Sequence, residues 1–299
     1  MELRFLENDG RCRWFNKTFL QELIPLMQLK NKKLCFIKDW FSNDNGRVGL
    51  DLEWLKSLNI NIVETYNDIP DSTYTVVNSG YDSIINEEKF LKEKGINIID
   101  KPCPFVRKLR NYLENADSNY QYILLCEKNH IIIKNFKSIF PKDLILVQMN
   151  NYEEYILKNE NGKPFCLLPY VTFLPVQVET IFSFIEKNFK NRNNKLLNTS
   201  CMWVSSKFSP IVEINSIPSE EIKKIKEAII ITTPDSMNKS VASLITTCKN
   251  RGLNVELISS LDEYISYEEK HKNDFILFIR SPIPNNAEEP IMEYINSKK

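Results

Sequence analysis

Short apolar runs separated by polar turns recur along the whole chain. Runs of strand character lie at Leu34–Ile37, Ile60–Val63, Tyr74–Val77, Ile96–Ile99, Tyr122–Leu125, Leu144–Val147, Ala228–Ile231, Val255–Ile258 and Phe275–Phe278. Between several of them, Asn86–Lys94, Gln177–Phe189 and Lys239–Arg251 carry apolar residues at the spacing of a helix with one buried face. Strands that alternate with helices predict an α/β fold of parallel sheets joined by crossover connections. Asn150–Lys163 and Ser205–Lys223 are polar or punctuated by proline, and read as connections between elements.

One local phrase occurs three times. LRFLENDGRC, INIIDKPC and LLNTSC each place a short apolar strand, an Asn or Asp and a cysteine in succession, and a helix-like stretch follows. These cysteines, Cys12, Cys103 and Cys201, divide the chain into near-equal thirds. The division predicts three small α/β domains, 13–102, 103–200 and 201–299, the last completed by the N-terminal strand within 1–12. A repeat of this length is a domain-scale unit, not a solenoid repeat. Ligands of open parallel sheets gather where strands end and helices begin, so three units about a common axis aim three thiolates at one point. Three thiolates suit an iron–sulfur cluster with one iron left open to substrate. Packing is the competing reading of any one cysteine, and Cys35, Cys126, Cys166 and Cys248, within apolar runs or on a helix face, are read that way.

Composition narrows the possibilities. Lys and Arg total 39 and Asp and Glu total 39, so no global field draws the chain to nucleic acid or a membrane. No apolar run approaches the ~18 residues of a membrane span, and MELRFLENDGRCRWF has no signal-peptide core. Seven cysteines, an odd number, fit a reducing compartment, and a cytoplasmic protein is expected. Only seven glycines are present, with neither G-x-x-x-x-G-K-[ST] nor G-x-G-x-x-G, which argues against a glycine cradle for a nucleotide. His130 and His271 are the only histidines, too few for a multi-histidine metal centre, and His271 in EEKHKND reads as a solvated surface residue.

From Val76 to His130 the order is strand, EEKFLKEKGINIID, KPCPFVRKLRNYL, strand YILL and a loop ending in NH. This resembles the LytB family, in which a D-A-T-C-P segment is followed by a helix and a G-H-P-E loop. Downstream, LLPYVTFLPVQVETIFSFIEKNF is similar to the family's Q-T-T-L segment and helix, and LLNTSC to its N-T-I-C. AIIITTPDSMNKSVASL is similar to its strand and S-x-N loop, with Ser236 and Asn238 in the motif positions, and DGRC stands where the family has G-F-C. LytB enzymes are 4-hydroxy-3-methylbut-2-enyl diphosphate reductases of isoprenoid synthesis. The resemblance implies three similar α/β domains around a central [4Fe-4S] cluster on Cys12, Cys103 and Cys201. It also implies a small-molecule substrate and an external electron donor such as ferredoxin or flavodoxin.

The departures from the family pattern fall in the substrate pocket. The first family histidine, in H-E-I-V-H-N, aligns with Ser42 of KDWFSN, and the second, in S-A-H-G-V, with Tyr81 of NSGYDS. The third is kept as His130, and the serine of G-A-S-x-P falls on Asn285 or Asn286. Two lost histidines deprive an anion of donors worth about 1.5–3 kcal/mol each. The family's glutamate, two residues after the histidine of H-P-E, is Ile132, which cannot donate a proton. The first threonine of Q-T-T is Val171, while Thr172 keeps the second. Glu127, three residues before His130, is either a replacement donor or a solvated loop residue, and Tyr81 and Tyr170 either donate O–H bonds or pack. Ser236 and Asn238 either hold an anion or cap the helix that follows.

The resemblance therefore implies an iron–sulfur oxidoreductase that cleaves a C–O bond reductively in a small anionic substrate other than the usual isoprenoid diphosphate. His130, Ser236, Asn238, Ser42 and Asn286 would hold that substrate, with Glu127, Thr172 and Tyr81 beside the chemistry. Two alternatives stand. One is non-redox cluster chemistry, a Lewis-acid dehydration or sulfur transfer. The other is a cluster-bearing sensor or accessory protein without turnover.

Overall fold

The computed structural model describes residues 1–7, 12, 25, 33–42, 52–80, 82–201, 209–233, 239–282 and 285–298. The strands are β1 (Glu2–Phe5), β2 (Lys33–Ile37), β3 (Asn61–Val63), β4 (Tyr74–Gly80), β5 (Asn97–Pro102), β6 (Gln121–Leu125), β7 (Ile145–Val147), β8 (Phe165–Pro169), β9 (Lys195–Leu196), β10 (Glu227–Ile231), β11 (Val255–Ile258) and β12 (Phe275–Arg280). The helices are α1 (Leu52–Ser57), α2 (Ile85–Glu93), α3 (Pro104–Glu114), α4 (Ile131–Phe136), α5 (Tyr152–Asn159), α6 (Pro175–Asn188), α7 (Pro210–Ser216), α8 (Ser219–Ile222), α9 (Lys239–Asn250), α10 (Leu261–Lys270) and α11 (Glu288–Ser297).

Three four-stranded sheets result, in the orders β3-β2-β4-β5, β7-β6-β8-β9 and β1-β12-β10-β11. Parallel pairing joins β2 to β4, β4 to β5, β6 to β7 and β8, and β8 to β9. The same holds for β10 with β11 and β12, and for β1 with β12. Parallel strands covered on both faces favour unbroken apolar runs, and the central strands β6 (QYILL) and β8 (FCLLP) are buried at every position. Edge strands carry polar residues instead: β11 reads VELI with Glu256 and Leu257 exposed. Three parallel-sheet α/β domains are the architecture expected from the alternation of strand and helix taken with the threefold cysteine repeat and the LytB resemblance.

The chain packs as two compact units. In one, β1 completes the sheet of β10–β12, with Glu2 paired to Phe275 and Phe5 to Phe278. There Tyr264 and Tyr267 of α10 and Ile291 and Ile295 of α11 cover Ile229, Ile231, Ile276 and Phe278. Each such side chain contributes about 1.5–3 kcal/mol on burial. The other unit holds most of the β2–β5 sheet and the whole β6–β9 sheet. Among the described residues no helix is long and apolar enough to cross a membrane.

Two stretches that read as connections are helical. Within 150–163, α5 forms because Ile156 is fully buried and the Tyr152 ring meets Phe184 edge-on at 5.4 Å. Within 205–223, Pro210 occupies the first helical position of α7, where its missing N–H costs nothing. The Ser209 hydroxyl accepts from the Ile211 and Val212 N–H groups at 3.2 and 3.4 Å, while Ile211 and Ile214 face the core. A proline that looks like a loop signal is here a helix start.

His271 also differs from its sequence reading. It ends α10 stacked on Tyr267, with ring centroids 4.2 Å apart, and its Nδ1 lies 2.8 Å from Asp274 Oδ2. It is a half-buried cap, not a solvated residue.

Candidate functional site at the strand ends

Every candidate residue follows the carboxyl end of a strand, the place where parallel sheets collect ligands. Cys12 follows β1, Ser42 follows β2, Tyr81 follows β4 and Cys103 follows β5. Glu127 and His130 follow β6, Thr172 follows β8, Cys201 follows β9, and Asn285 and Asn286 follow β12. Ser236 and Asn238 come after β10 in the chain and, like Tyr81, lie outside the described residues.

In the unit built on β1 and β10–β12, the Cys12 N–H donates to Pro282 O at 2.9 Å. This ties the first cysteine to the loop that carries Asn285 and Asn286. Asn285 is buried: its Nδ2 donates to Ile231 O at 3.4 Å, and its Oδ1 accepts from Ala287 N at 3.1 Å. It therefore braces the loop, whereas Asn286 is exposed.

In the other unit Cys103 is the N-cap of α3, with Pro104 at the first helical position and its carbonyl accepting from Arg107 N at 2.9 Å. Cys201 is held from the side of β8, its N–H donating to Val171 O at 2.8 Å. The Thr199 hydroxyl donates to Pro169 O, and Lys108 of α3 donates to Asn198 O at 2.9 Å. The helix opened by Cys103 thus touches the segment that ends in Cys201.

Beyond β6 the chain makes a tight turn in which His130 N donates to Glu127 O at 3.0 Å, with Glu127 exposed. His130 caps α4: its Nδ1 accepts from Ile132 N at 3.2 Å. A ring nitrogen used as acceptor carries no proton, so the neutral ring has its N–H at Nε2. The buried Tyr170 ring lies against the imidazole. Two residues on, Thr172 has a buried Oγ1 with no hydrogen-bond partner among the described residues. An orphaned hydroxyl costs about 1–3 kcal/mol, and a bound group would satisfy it. Ile132 is 0% exposed and Val171 is buried, so both positions that the resemblance sets against the family's acid and first threonine are buried.

Ser42 sits at the end of a 3-10 turn, Lys38–Phe41, its hydroxyl donating to Lys38 O at 2.9 Å. The turn is bound to α4. Lys134 Nζ pairs with Asp39 Oδ1 at 2.8 Å, and Asn135 Nδ2 donates to Trp40 O at 3.2 Å. Ser42 and His130 therefore stand on adjoining elements of one unit.

Sequence reasoning missed a buried ionic network beside these residues. Asp82 and Glu88 meet Arg110 Nη1 at 3.1 and 3.0 Å, and Arg107 bonds Asp82 at 3.1 Å and Asp100 at 2.7 Å. Burial works against ionisation of Glu88, yet bonds from Lys92, Ser83 and Arg110 hold its carboxyl down to about 2. Burial likewise opposes the charge of Arg110, but Glu114, Asp82 and Glu88 raise it above the usual guanidinium range. The signal in the chain was R-K-L-R at 107–110, two arginines on one face of α3.

No disulfide joins any of the seven cysteines. Burial pushes the thiols of Cys35, Cys166 and Cys248 up to about 12, so they stay protonated at neutral pH and pack as small apolar groups. Cys12, Cys103 and Cys201 lie outside strands and helices, as does the buried Cys126 after β6, and of these Cys12 and Cys103 are partly exposed. As a donor set, three thiols at strand ends fit an iron–sulfur cluster. Among the described residues no three His, Cys, Asp or Glu side chains gather closely enough to hold one metal ion, so the fit is one of donor chemistry and setting.

The family described as LytB protein matches residues 49–277. A 4-hydroxy-3-methylbut-2-enyl diphosphate reductase of Wolbachia sp. subsp. Brugia malayi (strain TRS) is 25% identical over 275 residues, covering 90% of this chain and 82% of its own. The reductase of the same name from Nautilia profundicola is 30% identical over 106 residues, 35% of this chain and 38% of its own. The E-1-hydroxy-2-methyl-but-2-enyl-4-diphosphate reductase of Plasmodium falciparum superposes with a TM-score of 0.72 at 17% identity, over 99% of this chain and 87% of that one. A structure of (E)-4-hydroxy-3-methyl-but-2-enyl diphosphate reductase gives a TM-score of 0.64 at 15% identity, over 99% of both chains. With the three sheets, the strand-end cysteines and a match over most of its length, the chain belongs to the LytB family.

Proposed function

We propose that this LytB protein is an iron–sulfur reductase that cleaves a C–O bond in a small anionic substrate other than 4-hydroxy-3-methylbut-2-enyl diphosphate. One observation carries the reading. Cys12, Cys103, Cys201, His130 and Thr172 follow strand ends, while Ile132, which the resemblance sets in place of the family's acid, is fully buried.

Cys12, Cys103 and Cys201 would hold a [4Fe-4S] cluster, which supplies electrons and, with three protein ligands, an iron open to substrate. His130 offers Nε2–H to an anion while Nδ1 caps α4. Ser42, Ser236, Asn238 and Asn286 are the further candidates for holding it. Replacing C–O by C–H consumes two electrons and two protons and releases water. The electrons come from an external donor such as ferredoxin or flavodoxin, in a cytoplasmic setting. Glu127, on the turn that leads into His130, is the carboxylate we assign to relay a proton, and Thr172 and Tyr81 are the further candidates for the chemistry. Domains of 13–102, 103–200 and 201–299 with 1–12 are part of the same reading.

The loss of the family's acid also favours a second reading, in which the open iron acts as a Lewis acid without net electron transfer, or the cluster only senses. The test is to purify the protein without oxygen, reduce it, and add candidate anionic allylic alcohols. Oxidation of the reduced protein with product formation supports the reductase. Product without oxidation establishes the Lewis-acid reading and overturns it.

A further inference from the structure

Asp82 lies where two helices that begin at different candidate residues are tied down. It is 0% exposed, and its φ of 71° is in the left-handed region that favours glycine. Its carboxylate accepts from Ser83 N at 2.8 Å, Asn78 Nδ2 at 3.2 Å, Arg107 Nε at 3.1 Å and Arg110 Nη1 at 3.1 Å. Both arginines belong to α3, and the Arg107 N–H closes the first turn onto Cys103 O. On its other side, Asp82 O accepts from Asn135 Nδ2 at 2.9 Å, within α4, the helix capped by His130. The Asn135 amide directs its N–H groups to Asp82 O and Trp40 O, while its buried Oδ1 finds no partner among the described residues. Its orientation is therefore set by those two carbonyls.

Neither backbone nor packing requires a carboxylate at 82. Glycine suits the dihedral better. A buried charge is costly unless paired, and here the pairing partners are two guanidiniums of the Cys103 helix. What the side chain adds is an anchor for α3, and what the carbonyl adds is an anchor for α4.

We propose that Asp82 is a positioning residue that holds the Cys103 helix and the His130 helix in one fixed register. The proposal rests on the roles given above to Cys103 and His130. The test uses reduced, metal-free full-length chain, so that it stands apart from cluster loading. Two ends are read: the alkylation rate of Cys103 by iodoacetamide, followed by mass spectrometry, and the ring resonances of His130, distinguished from those of His271 by a His271→Gln variant. Asp82→Gly keeps the carbonyl and suits the dihedral while removing the carboxylate. Asn135→Ala leaves the carboxylate's bonds in place and breaks the α4 side, together with the bond to Trp40 O. Both variants are expected to fold, to speed Cys103 alkylation about fivefold or more through local opening, and to shift the His130 resonances.

A folded variant in which one end changes and the other does not overturns the proposal. If Asp82→Gly does not fold, Asn135→Ala decides by the same two readouts. If neither folds, Asp82 serves the core and the proposal fails. Iron content of the parent protein is measured separately, and its absence would sink the cluster reading while leaving this coupling measurement intact.

Discussion

The imidazole of His130 rests on the ring of Tyr170 with centroids 4.0 Å apart and planes inclined by 51°. Tyr170 is itself fixed by its N–H, which donates to Leu125 O at 2.8 Å, so His130 is held by the ends of two central strands, β6 and β8. The contact fixes the ring and the cap fixes its tautomer. A substitution that separates cap from donor then separates stability from binding. Asparagine caps helices well but offers no imidazole N–H at this reach. His130→Asn is expected to leave stability within about 0.5 kcal/mol while weakening inorganic pyrophosphate binding about tenfold or more, the loss of one hydrogen bond to a charged group. Calorimetric titration and denaturant unfolding of the same preparations check the two halves. Equal pyrophosphate affinity in the variant would remove His130 from the anion site.

Cys35, Cys166 and Cys248 lie within strands or a helix, whereas Cys12, Cys103, Cys126 and Cys201 do not. Changing Cys12, Cys103 or Cys201 to Ser is expected to abolish or cripple a cluster of about four irons per chain. The same change at Cys35, Cys166 or Cys248 should leave iron content unchanged, with a stability loss of about 1–3 kcal/mol for placing a hydroxyl in the core. Iron assay and visible absorption after anaerobic reconstitution measure both. Full iron in Cys103→Ser would refute the ligand set.

Much of this was legible in the chain. Period and alternation predicted parallel sheets, because buried parallel strands leave continuous apolar runs such as YILL and AIII, and the cysteine repeat with the LytB resemblance predicted three of them. The three cysteine phrases marked strand ends, because a strand must stop before a helix begins. Two helices were hidden: in α5 only Ile156 faces the core fully, and in α7 the proline at its start resembles a break. Of the Asp82 network only the arginine pair of R-K-L-R at 107–110 left a mark in the sequence. Its members, Asn78, Asp82, Glu88, Asp100, Arg107 and Arg110, come from two strands, two helices and the turn after β4, and only folding brings them within hydrogen-bond distance.

Turnover of 4-hydroxy-3-methylbut-2-enyl diphosphate with a strong artificial donor is expected to be about 100-fold or more below that of a family member with the intact acid, the usual scale of general acid catalysis. Grafting the acid back should not restore it. Ile132 is 0% exposed within α4, so Ile132→Glu places a carboxylate in the core and should destabilise the fold by about 3 kcal/mol or more. Activity assays and urea unfolding of the parent and the variant test both statements. A stable and active Ile132→Glu protein would show that this position borders the pocket.

Glu88 sets an acid limit on the unit that holds Cys103 and His130. Its carboxyl is held down to about 2, against an ordinary value of 4.5, despite burial, by bonds from Lys92, Ser83 and Arg110. A carboxyl whose folded value is depressed stabilises the fold above its unfolded value, and loses that contribution as pH falls through the folded value. The contribution is therefore complete above pH ~4.5, declines below it and is gone near pH 2, with a size on the order of 3 kcal/mol. Glu88→Gln removes the titration and leaves Arg110 short of one charge, which should cost about 3–5 kcal/mol at neutral pH. Urea unfolding from pH 7 to pH 2.5 should show the parent losing stability more steeply than the variant below pH ~4.5. Parallel curves for the two proteins would mean that the Glu88 carboxyl is not the group that titrates.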